Sequence, residues 1–237
     1  MSAAIHARLE GASVVAIESG TLGGTCVNVG CVPSKTLLAA AHTRHSALTN
    51  RFSGVPPSSA GMVDLSALIE QKDDLVGMLR QTKYADIAAA YGFDILPGTA
   101  TFTDAGTLLV DGRPVRAKSY LVATGAEPHV PAIPGLEQVD YLTSTTAMEL
   151  TELPASLVVI GGGFVGLEQA QLFARLGVEV TVIGRLAPAR RTGTVIRAPQ
   201  GLPGRGGDQR HRRPRSHDHP ARGPGPGDDP QREGRDR

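Results

Sequence analysis

The spacing of apolar residues near the N-terminus predicts a helix followed by a strand. We expect the helix to begin near residue 3 and to end near Gly11. The apolar run that follows predicts a strand over residues 13–18.

This helix–strand pattern returns later in the chain as a weak internal repeat. Residues 7–18 match residues 174–184 if one residue is inserted at Glu10. The second copy is preceded by a predicted strand and then by the segment Gly-Gly-Gly-Phe-Val-Gly of residues 161–166. Strand, glycine loop, helix and strand form the start of a dinucleotide-binding βαβ unit. The first copy has no glycine loop ahead of it, so we expect the chain to begin inside such a unit.

Between the two copies the pattern predicts helices and then short strands. A helix is expected over residues 33–50, and apolar residues at helical spacing predict a second long helix that begins near Leu65 and runs toward Tyr91. Short alternating runs separated by turn residues then predict a β-meander. A buried strand is expected to lead into Thr124 and Gly125. The predicted strands are residues 99–102, 108–110, 115–118 and 120–123.

Residues 190–237 differ from the rest of the chain in composition. After Ile196 the only large apolar residue is Leu202, and Gly, Pro, Arg, Asp and His dominate. We expect this segment to be disordered, because it has too little apolar surface to offset the entropy of ordering. Its abrupt start indicates translation in a shifted frame from about residues 186–190. A shifted reading frame explains the many arginines of this segment better than a nucleic-acid-binding arm does. We interpret His217 and His219 as solvated side chains rather than metal ligands.

Charge and hydropathy narrow the possible function classes. The formal net charge of +1 favours neither nucleic acid nor an anionic membrane surface as a partner. No apolar run approaches the ~18 residues that a membrane-spanning helix needs. His6, Arg8 and Glu10 lie where a signal peptide would be apolar, so we expect a cytoplasmic protein rather than a secreted one.

Two cysteines, Cys26 and Cys31, lie in the segment Gly-Gly-Thr-Cys-Val-Asn-Val-Gly-Cys-Val-Pro-Ser-Lys of residues 23–35. Two buried structural thiols are the ordinary interpretation of such a pair. Here, however, a predicted helix follows, and its N-terminus favours a thiolate at Cys31. Lys35 adds a cation one turn later. Two-electron transfer through a thiol pair requires that the two thiols form and break a disulfide reversibly. We therefore interpret the segment as a redox-active dithiol.

This segment resembles the active-site signature of the pyridine nucleotide-disulphide oxidoreductases. The resemblance extends through residues 123–125 and the glycine loop, and it covers about residues 3–187. It implies that Cys31 faces a flavin as the charge-transfer thiolate and that Cys26 is the exposed interchange thiol. It also implies that Lys35 lies beside the flavin and pairs with Glu168, for which an ordinary solvated helix residue is the alternative.

The repeat and the resemblance together predict an α/β fold with two Rossmann-like units, one for FAD and one for NADPH, both incomplete. A β-meander lies between them, and a disordered C-terminal tail follows. Residues 1–146 are expected to form an FAD-binding domain without its first strand and glycine loop. Residues 147–189 would be the N-terminal part of an NAD(P)H-binding domain, and residues 190–237 the out-of-frame tail.

Several residues are candidates for binding FAD. Glu18 ends the second strand of the first unit, where a carboxylate can accept both ribose hydroxyls of the adenosine. A surface glutamate at a strand end is the alternative. The resemblance further implies cofactor contacts from Gly24, Thr25, Lys35, Thr124 and Gly125.

In the second unit, Gly161, Gly163 and Gly166 follow a predicted strand and open a predicted helix. This context predicts that they bind the pyrophosphate of a nicotinamide dinucleotide. Phe164 lies where related reductases carry an aromatic gate over the flavin, and core packing is its alternative role.

The choice between NADPH and NADH depends on the end of the second unit. The position that matches Glu18 is Gly184, followed by Arg185. A glycine removes the repulsion of a 2′-phosphate and an arginine can pair with it, so this pattern favours NADPH.

Within the family, the valines of the dithiol segment and the run Ala-Ala-Ala-His at residues 39–42 most resemble the mercuric reductase branch. That resemblance implies electron flow from NADPH to FAD, to Cys26–Cys31 and to Hg(II), which the two thiols bind as substrate only. It implies a homodimer, although we find no dimerisation domain in the sequence, and we expect the chain as written to be inactive. A dihydrolipoamide dehydrogenase or other disulfide reductase is one alternative. A non-catalytic pseudogene product is another.

Overall fold

The computed structural model describes residues 1–50, 52–59, 61–104, 106–185 and 193–197 of the 237-residue chain. These residues form a mixed α/β structure with three small sheets. The elements in chain order are α1 (Ser2–Leu9), β1 (Val15–Glu18), α2 (Gly24–Asn28), α3 (Cys31–Leu48), α4 (Leu65–Arg80), a π-helical segment (Gln81–Ala85), α5 (Asp86–Tyr91), β2 (Asp94–Pro97), β3 (Ala100–Phe102), β4 (Leu108–Val110), β5 (Arg113–Val115), two 3-10 helices (Leu136–Gln138 and Thr146–Glu149), β6 (Ser156–Ile160), α6 (Phe164–Leu176), β7 (Glu179–Arg185) and β8 (Gly193–Arg197).

Strands β1 and β2 form a two-stranded parallel sheet near the N-terminus. Its register places Val15 opposite Asp94, and a backbone hydrogen bond of 3.0 Å from the N–H of Gly98 to the carbonyl of Glu18 extends the pairing. Helix α1 is joined to the end of α5, because Arg8 Nε donates to the carbonyl oxygen of Tyr91 at 2.9 Å.

The second βαβ unit is β6–α6–β7. Strands β6 and β7 are parallel, and the N–H of Gly161 donates to the carbonyl oxygen of Ile183 at 2.8 Å. Helix α6 ends at Gly177, which has a φ of 106°, a left-handed conformation that glycine adopts without a Cβ penalty. The strand–glycine loop–helix–strand order predicted from the repeat is thus present.

The core of this part of the chain lies between the second unit and α3. Leu172, Phe173 and Val180 are at most 2% exposed, and they belong to one buried cluster with Leu37 and Ala41 of α3. Burial of a large apolar side chain stabilises a fold by about 1.5–3 kcal/mol. Helix α3 is therefore packed against α6, and this packing fixes the position of the N-terminus of α3.

The chain from Leu65 to Tyr91 is helical throughout, with the π-helical segment between α4 and α5. Asp64 caps the start, because its Oδ1 accepts from the N–H of Ala67 at 3.0 Å. Gly92, with a φ of 64°, follows the last residue of α5. The predicted second long helix is confirmed, apart from the π-helical turn, which the apolar spacing did not predict.

Strands β3, β4 and β5 form an antiparallel sheet of consecutive strands. Asp111, with a φ of 46°, and Gly112, with a φ of 79°, form the turn between β4 and β5, as Asp-Gly turns with two positive φ angles commonly do. Strand β5 ends at Val115, so the strand predicted over residues 115–118 is displaced toward the N-terminus.

The buried strand predicted over residues 120–123 is wrong. These residues form no regular structure, and Leu121 and Val122 are each 72% exposed. A strand needs a neighbour that satisfies its backbone hydrogen-bonding groups, and no strand of the described ranges pairs with this segment.

The disorder predicted from residue 190 onward is wrong for residues 193–197. Their backbone forms β8, which pairs antiparallel with β7. The β-branched run Thr-Val-Ile suits a strand, and the free edge of β7 offers it backbone partners. The remaining residues of the tail, including His217 and His219, lie outside the described residues, as does the expected frame change at residues 186–190. In the part of the chain that the structure describes, no helix combines the length and apolarity needed to span a bilayer.

Candidate functional site

The two cysteines lie on consecutive helices. Cys26 lies within the five-residue helix α2, and Cys31 is the first residue of α3. Both are free and exposed. At the end of α2 the N–H of Val29 donates to the carbonyl of Thr25 at 3.0 Å, and at the start of α3 the N–H of Ser34 donates to the carbonyl of Gly30 at 3.1 Å. Because both cysteines are exposed, the ordinary interpretation of such a pair as two buried structural thiols is wrong.

Gly30 allows the two cysteine-bearing helices to approach each other. A Cβ on this residue would lie 2.9 Å from the carbonyl oxygen of Thr25 and 3.3 Å from the Cα of Cys26. Both neighbours are backbone atoms, which cannot swing away as a flexible side chain could. Gly30 is thus a steric requirement for the close turn from Cys26 to Cys31.

The thiol of Cys26 interacts with that of Cys31. Its pKa is raised above the ordinary value of 9.0, mainly by a hydrogen bond with the Cys31 side chain. Slight burial and the negative charge of a Cys31 thiolate raise it further, whereas a backbone hydrogen bond from Cys31 lowers it. Negative charge on Cys31 therefore favours the neutral thiol at Cys26.

Lys35 and Glu168 join the dithiol segment to the second βαβ unit. Lys35 lies one turn after Cys31, and its Nζ is 2.6 Å from Oε1 of Glu168 on α6. The side chains are 63% and 25% exposed, respectively. The pKa of Glu168 is lowered, first by the hydrogen bond from Lys35 and then by one from Ser34. The structure thus brings together the pair that the resemblance implies, and Glu168 is not simply solvated.

Sequence reasoning missed Ser34 and Asn28. Ser34 is 7% exposed, its hydroxyl donates to the carbonyl oxygen of Cys31 at 3.4 Å, and it contributes to the lowered pKa of Glu168. The side-chain amide of Asn28 donates to backbone carbonyls on the approach to Cys26. An Asn or Ser inside a glycine-rich turn is a recognisable indication of side-chain-to-backbone bonding, although its partners cannot be identified from sequence.

Two FAD candidates, Gly24 and Thr25, belong to the dithiol segment, and the segment containing Thr124 and Gly125 lies against Thr25. Gly24 has a φ of 70° and open space where a Cβ would stand. Thr25 Oγ1 donates to the carbonyl oxygen of Ala126 at 3.5 Å, and a Cβ on Gly125 would lie 3.2 Å from that hydroxyl. The exposed segment containing Thr124 and Gly125 is thereby brought against Thr25.

Glu18 lies at the end of β1. Its Oε1 accepts a hydrogen bond of 3.0 Å from the N–H of Gly20. The carboxylate is partly exposed, so its second oxygen is available to another donor.

The glycines of the second unit have separate structural roles. No atom lies within 4 Å of the positions where Cβ atoms on Gly161 and Gly163 would stand. By contrast, a Cβ on Gly166 would overlap the carbonyl oxygen of Gly161, so Gly166 allows α6 to pack against the end of β6. Phe164, the first residue of α6, is 94% exposed, which excludes core packing as its role here.

Gly184 lies next to this loop. A Cβ there would lie 3.0 Å from the backbone N of Gly162 and 3.2 Å from its Cα. A larger side chain at this position would therefore press against the backbone of Gly162. Arg185 ends β7 opposite Gly193, and its side chain lies outside the described residues.

A family model for pyridine nucleotide-disulphide oxidoreductases matches residues 1–196, which include the dithiol segment and the β6–α6–β7 unit. The chain belongs to this family. The resemblance identified from the cysteine segment is confirmed, and with it the Rossmann-type α/β fold.

Similar members of the family are mercuric reductases. The chain is 58% identical over 196 residues to the mercuric reductase of Streptomyces lividans, with 80% of this chain and 41% of that protein covered. It is 52% identical over 184 residues to the mercuric reductase of Staphylococcus aureus, with 78% and 34% covered. The chain thus spans less than half the length of these relatives.

Solved structures of a flavoprotein disulfide reductase have a similar fold. The HOCl-induced flavoprotein disulfide reductase RclA from Escherichia coli, in its Cu(II) complex, matches with a TM-score of 0.64 and 30% identity. The match covers 77% of this chain and 38% of that one.

The residues present fit the dinucleotides that the family name implies. Gly161 and Gly163 leave open space at the N-terminus of α6, where backbone N–H groups and the helix dipole favour a pyrophosphate. Gly24 leaves similar space beside the dithiol. No group of three or more His, Cys, Asp and Glu side chains suited to a resident metal ion occurs in the described ranges.

Proposed function

We propose that this chain carries the electron-transfer centre of a mercuric reductase, in which two electrons pass from NADPH through FAD to Cys26–Cys31 and then to Hg(II). The observation that carries the proposal is the pair of exposed free thiols beside the Lys35–Glu168 ion pair. This pair occurs in a chain 58% identical over 196 residues to a mercuric reductase.

The thiol chemistry suits mercury. Thiolates are soft ligands and prefer soft metal ions, and two neighbouring thiolates suit a cation that accepts two sulfur ligands. The net reaction is NADPH plus Hg(II) giving NADP⁺, a proton and Hg(0), so the two electrons of the nicotinamide balance the two accepted by mercury. Both cysteines are exposed, as a substrate-binding pair must be.

The cofactors would be held by residues of both units. FAD, when bound, supplies the two-electron chemistry that links a nicotinamide to a thiol pair. We assign FAD to Glu18, Gly24, Thr25, Lys35, Thr124 and Gly125. We assign NADPH to Gly161, Gly163, Gly166 and Arg185, with Phe164 as a gate between nicotinamide and flavin.

Three finer statements belong to the same proposal. Residues 1–146 would belong to the FAD unit and residues 147–189 to the NADPH unit, both incomplete, with the β3–β4–β5 sheet as the meander between them. The enzyme would act as a homodimer. It would work in the cytoplasm, where NADPH is available.

The first test is Hg(II) binding by the full chain. Titration of the reduced protein with Hg(II), followed by the ultraviolet absorbance of the mercury–thiolate bond, is expected to saturate at a single ion per chain. Cys26→Ser and Cys31→Ser should each weaken binding by at least about 100-fold, since each leaves one soft ligand. Binding unchanged in both variants would overturn the proposal.

The second test is a chimera. The matched segment of the Streptomyces lividans enzyme is replaced by residues 1–185 of this chain, and Hg(II)-dependent oxidation of NADPH is measured. We expect activity to be retained, and either cysteine variant of the chimera to lose it. Faster reduction of NAD by dihydrolipoamide would instead favour the dihydrolipoamide dehydrogenase alternative. Hg(II) binding without reduction would favour a non-catalytic product.

A further inference from the structure

The turn that carries Cys26 is organised by the side chain of Asn28. Its Nδ2 lies 3.1 Å from the carbonyl oxygens of Thr21 and Leu22 and 3.0 Å from that of Gly24. These contacts tie the end of α2 to the residues that precede it. Helix α2 has only five residues, too few to be stable by itself, so the position of Cys26 depends on such contacts.

Asn28 is in turn held from another element. Arg80, the last residue of α4, donates from Nε to Asn28 Oδ1 at 3.0 Å. This hydrogen bond is partly buried and connects residues 52 positions apart. A charged donor on an amide oxygen makes a stronger bond than a neutral one, and it polarises the amide so that its N–H groups become better donors.

The π-helical segment begins directly after Arg80. It includes Tyr84, whose Cδ2 lies 3.6 Å from where a Cβ on Gly23 would stand. The helix from Leu65 onward therefore reaches the dithiol segment at two points, Asn28 and Gly23. Interruptions of this kind in an α-helix are frequent beside functional sites.

We propose that Arg80 is a positioning residue for the dithiol: acting through Asn28, it holds the turn that carries Cys26 in the position from which its thiol closes a disulfide with Cys31. Cys31 needs no such help, because α3 is anchored in the core. The inference rests on the proposed function only in taking Cys26 and Cys31 as a redox pair.

The relevant property is the equilibrium between dithiol and disulfide, measured against glutathione. The Cys26 thiolate attacks glutathione disulfide, a mixed disulfide forms and one glutathione thiolate leaves. The Cys31 thiolate then attacks the Cys26 sulfur, the intramolecular bond forms and the second glutathione leaves. Two protein thiols are oxidised and one glutathione disulfide is reduced to two thiols. The equilibrium constant has units of concentration and measures how well the fold holds the two sulfurs together.

The experiment compares the wild-type 237-residue chain with Arg80→Ala, Arg80→Lys and Arg8→Ala in glutathione buffers, with quenching and mass spectrometry to count oxidised chains. Arg8 is a matched control, since it donates from Nε to Tyr91 and from Nη1 to Ala12, both at 2.9 Å and both outside the dithiol segment. Arg80→Ala should lower the equilibrium constant about tenfold, the effect of losing one charge-assisted hydrogen bond. Arg80→Lys keeps a cationic donor and should recover part of the loss. Arg8→Ala should leave the constant unchanged.

Urea unfolding of each variant separates positioning from general stability. A similar fall in the constant for Arg8→Ala and Arg80→Ala, in proportion to lost stability, would overturn the inference, as would an unchanged constant in Arg80→Ala. Since the assay needs neither flavin nor mercury, it also distinguishes the two proposals. A wild-type chain that never closes the disulfide overturns the proposed function and this inference with it. A wild-type chain that closes but is insensitive to Arg80 overturns the inference alone.

Discussion

At the scale of single residues, the ion pair between Lys35 and Glu168 predicts a pH-dependent contribution to stability. The folded-state pKa of Glu168 lies below its ordinary value of 4.5, which the unfolded chain would retain. The contribution is therefore fully present above pH 4.5 and is lost as the pH falls through the folded-state pKa. Glu168→Gln should lower the free energy of unfolding at neutral pH by less than about 1 kcal/mol, since Lys35 is largely exposed.

The measurement is urea unfolding of wild type and Glu168→Gln over a pH series. The two proteins should converge below the folded-state pKa of Glu168, where the wild-type carboxyl is also neutral. Glu70→Gln is the control, because Glu70 is exposed and no ion pair to it is found in the described residues. A difference that persists unchanged into acid would show that the ion pair does not cause the effect.

At the scale of elements, two glycines should respond oppositely to the same substitution. Gly30→Ala places a methyl group against the backbone of Thr25 and Cys26, so α2 must move away from the start of α3. We expect a loss of about 1–3 kcal/mol, as for other overpacked sites. Gly77→Ala, inside α4 with open space around its Cβ position, should stabilise the chain by about 0.5–1 kcal/mol.

Chemical unfolding and disulfide formation test this pair of substitutions together. Gly30→Ala should also slow closure of Cys26–Cys31, whereas Gly77→Ala should not. If Gly30→Ala were as well tolerated as Gly77→Ala, the close turn between the two cysteines would not exist in solution.

At the scale of the whole molecule, exposed apolar surface predicts self-association of the chain expressed alone. One face of β6 is open, with Val158 and Ile160 at 58% and 55% exposed, while Leu157 on the other face packs against the core. Replacing both Val158 and Ile160 by Thr should reduce association, measured by sedimentation, without lowering stability, since Thr keeps the strand preference. Leu157→Thr should cost about 1–2 kcal/mol. Equal destabilisation by the two changes would mean that another part of the molecule covers the outer face.

Much of the site could be predicted from local sequence. The cysteine spacing, the glycines and the repeated helix–strand pattern each depend on residues close together in the chain, and they identified the dithiol, the glycine loop of the second unit and the family. The pairing of Lys35 with Glu168 required the resemblance, because the two residues lie far apart in sequence. The roles of Ser34 and Arg80 were not predicted, since a side chain's distant hydrogen-bond partner leaves no local pattern.

By itself, then, the sequence determined the elements whose causes are local: helices with a continuous apolar stripe, a glycine loop between a strand and a helix, and two thiols ahead of a helix. Tertiary structure decided what depends on a neighbour. Residues 120–123 have the composition of a strand but no described partner strand, so they stay exposed, whereas residues 193–197 pair with the free edge of β7. The ion pair at the site forms because α3 and α6 bury one apolar cluster between them, which brings Lys35 within 2.6 Å of Glu168. The hydrophobic pattern of a segment indicates which secondary structure it can form. Packing against a partner decides whether that secondary structure is stable.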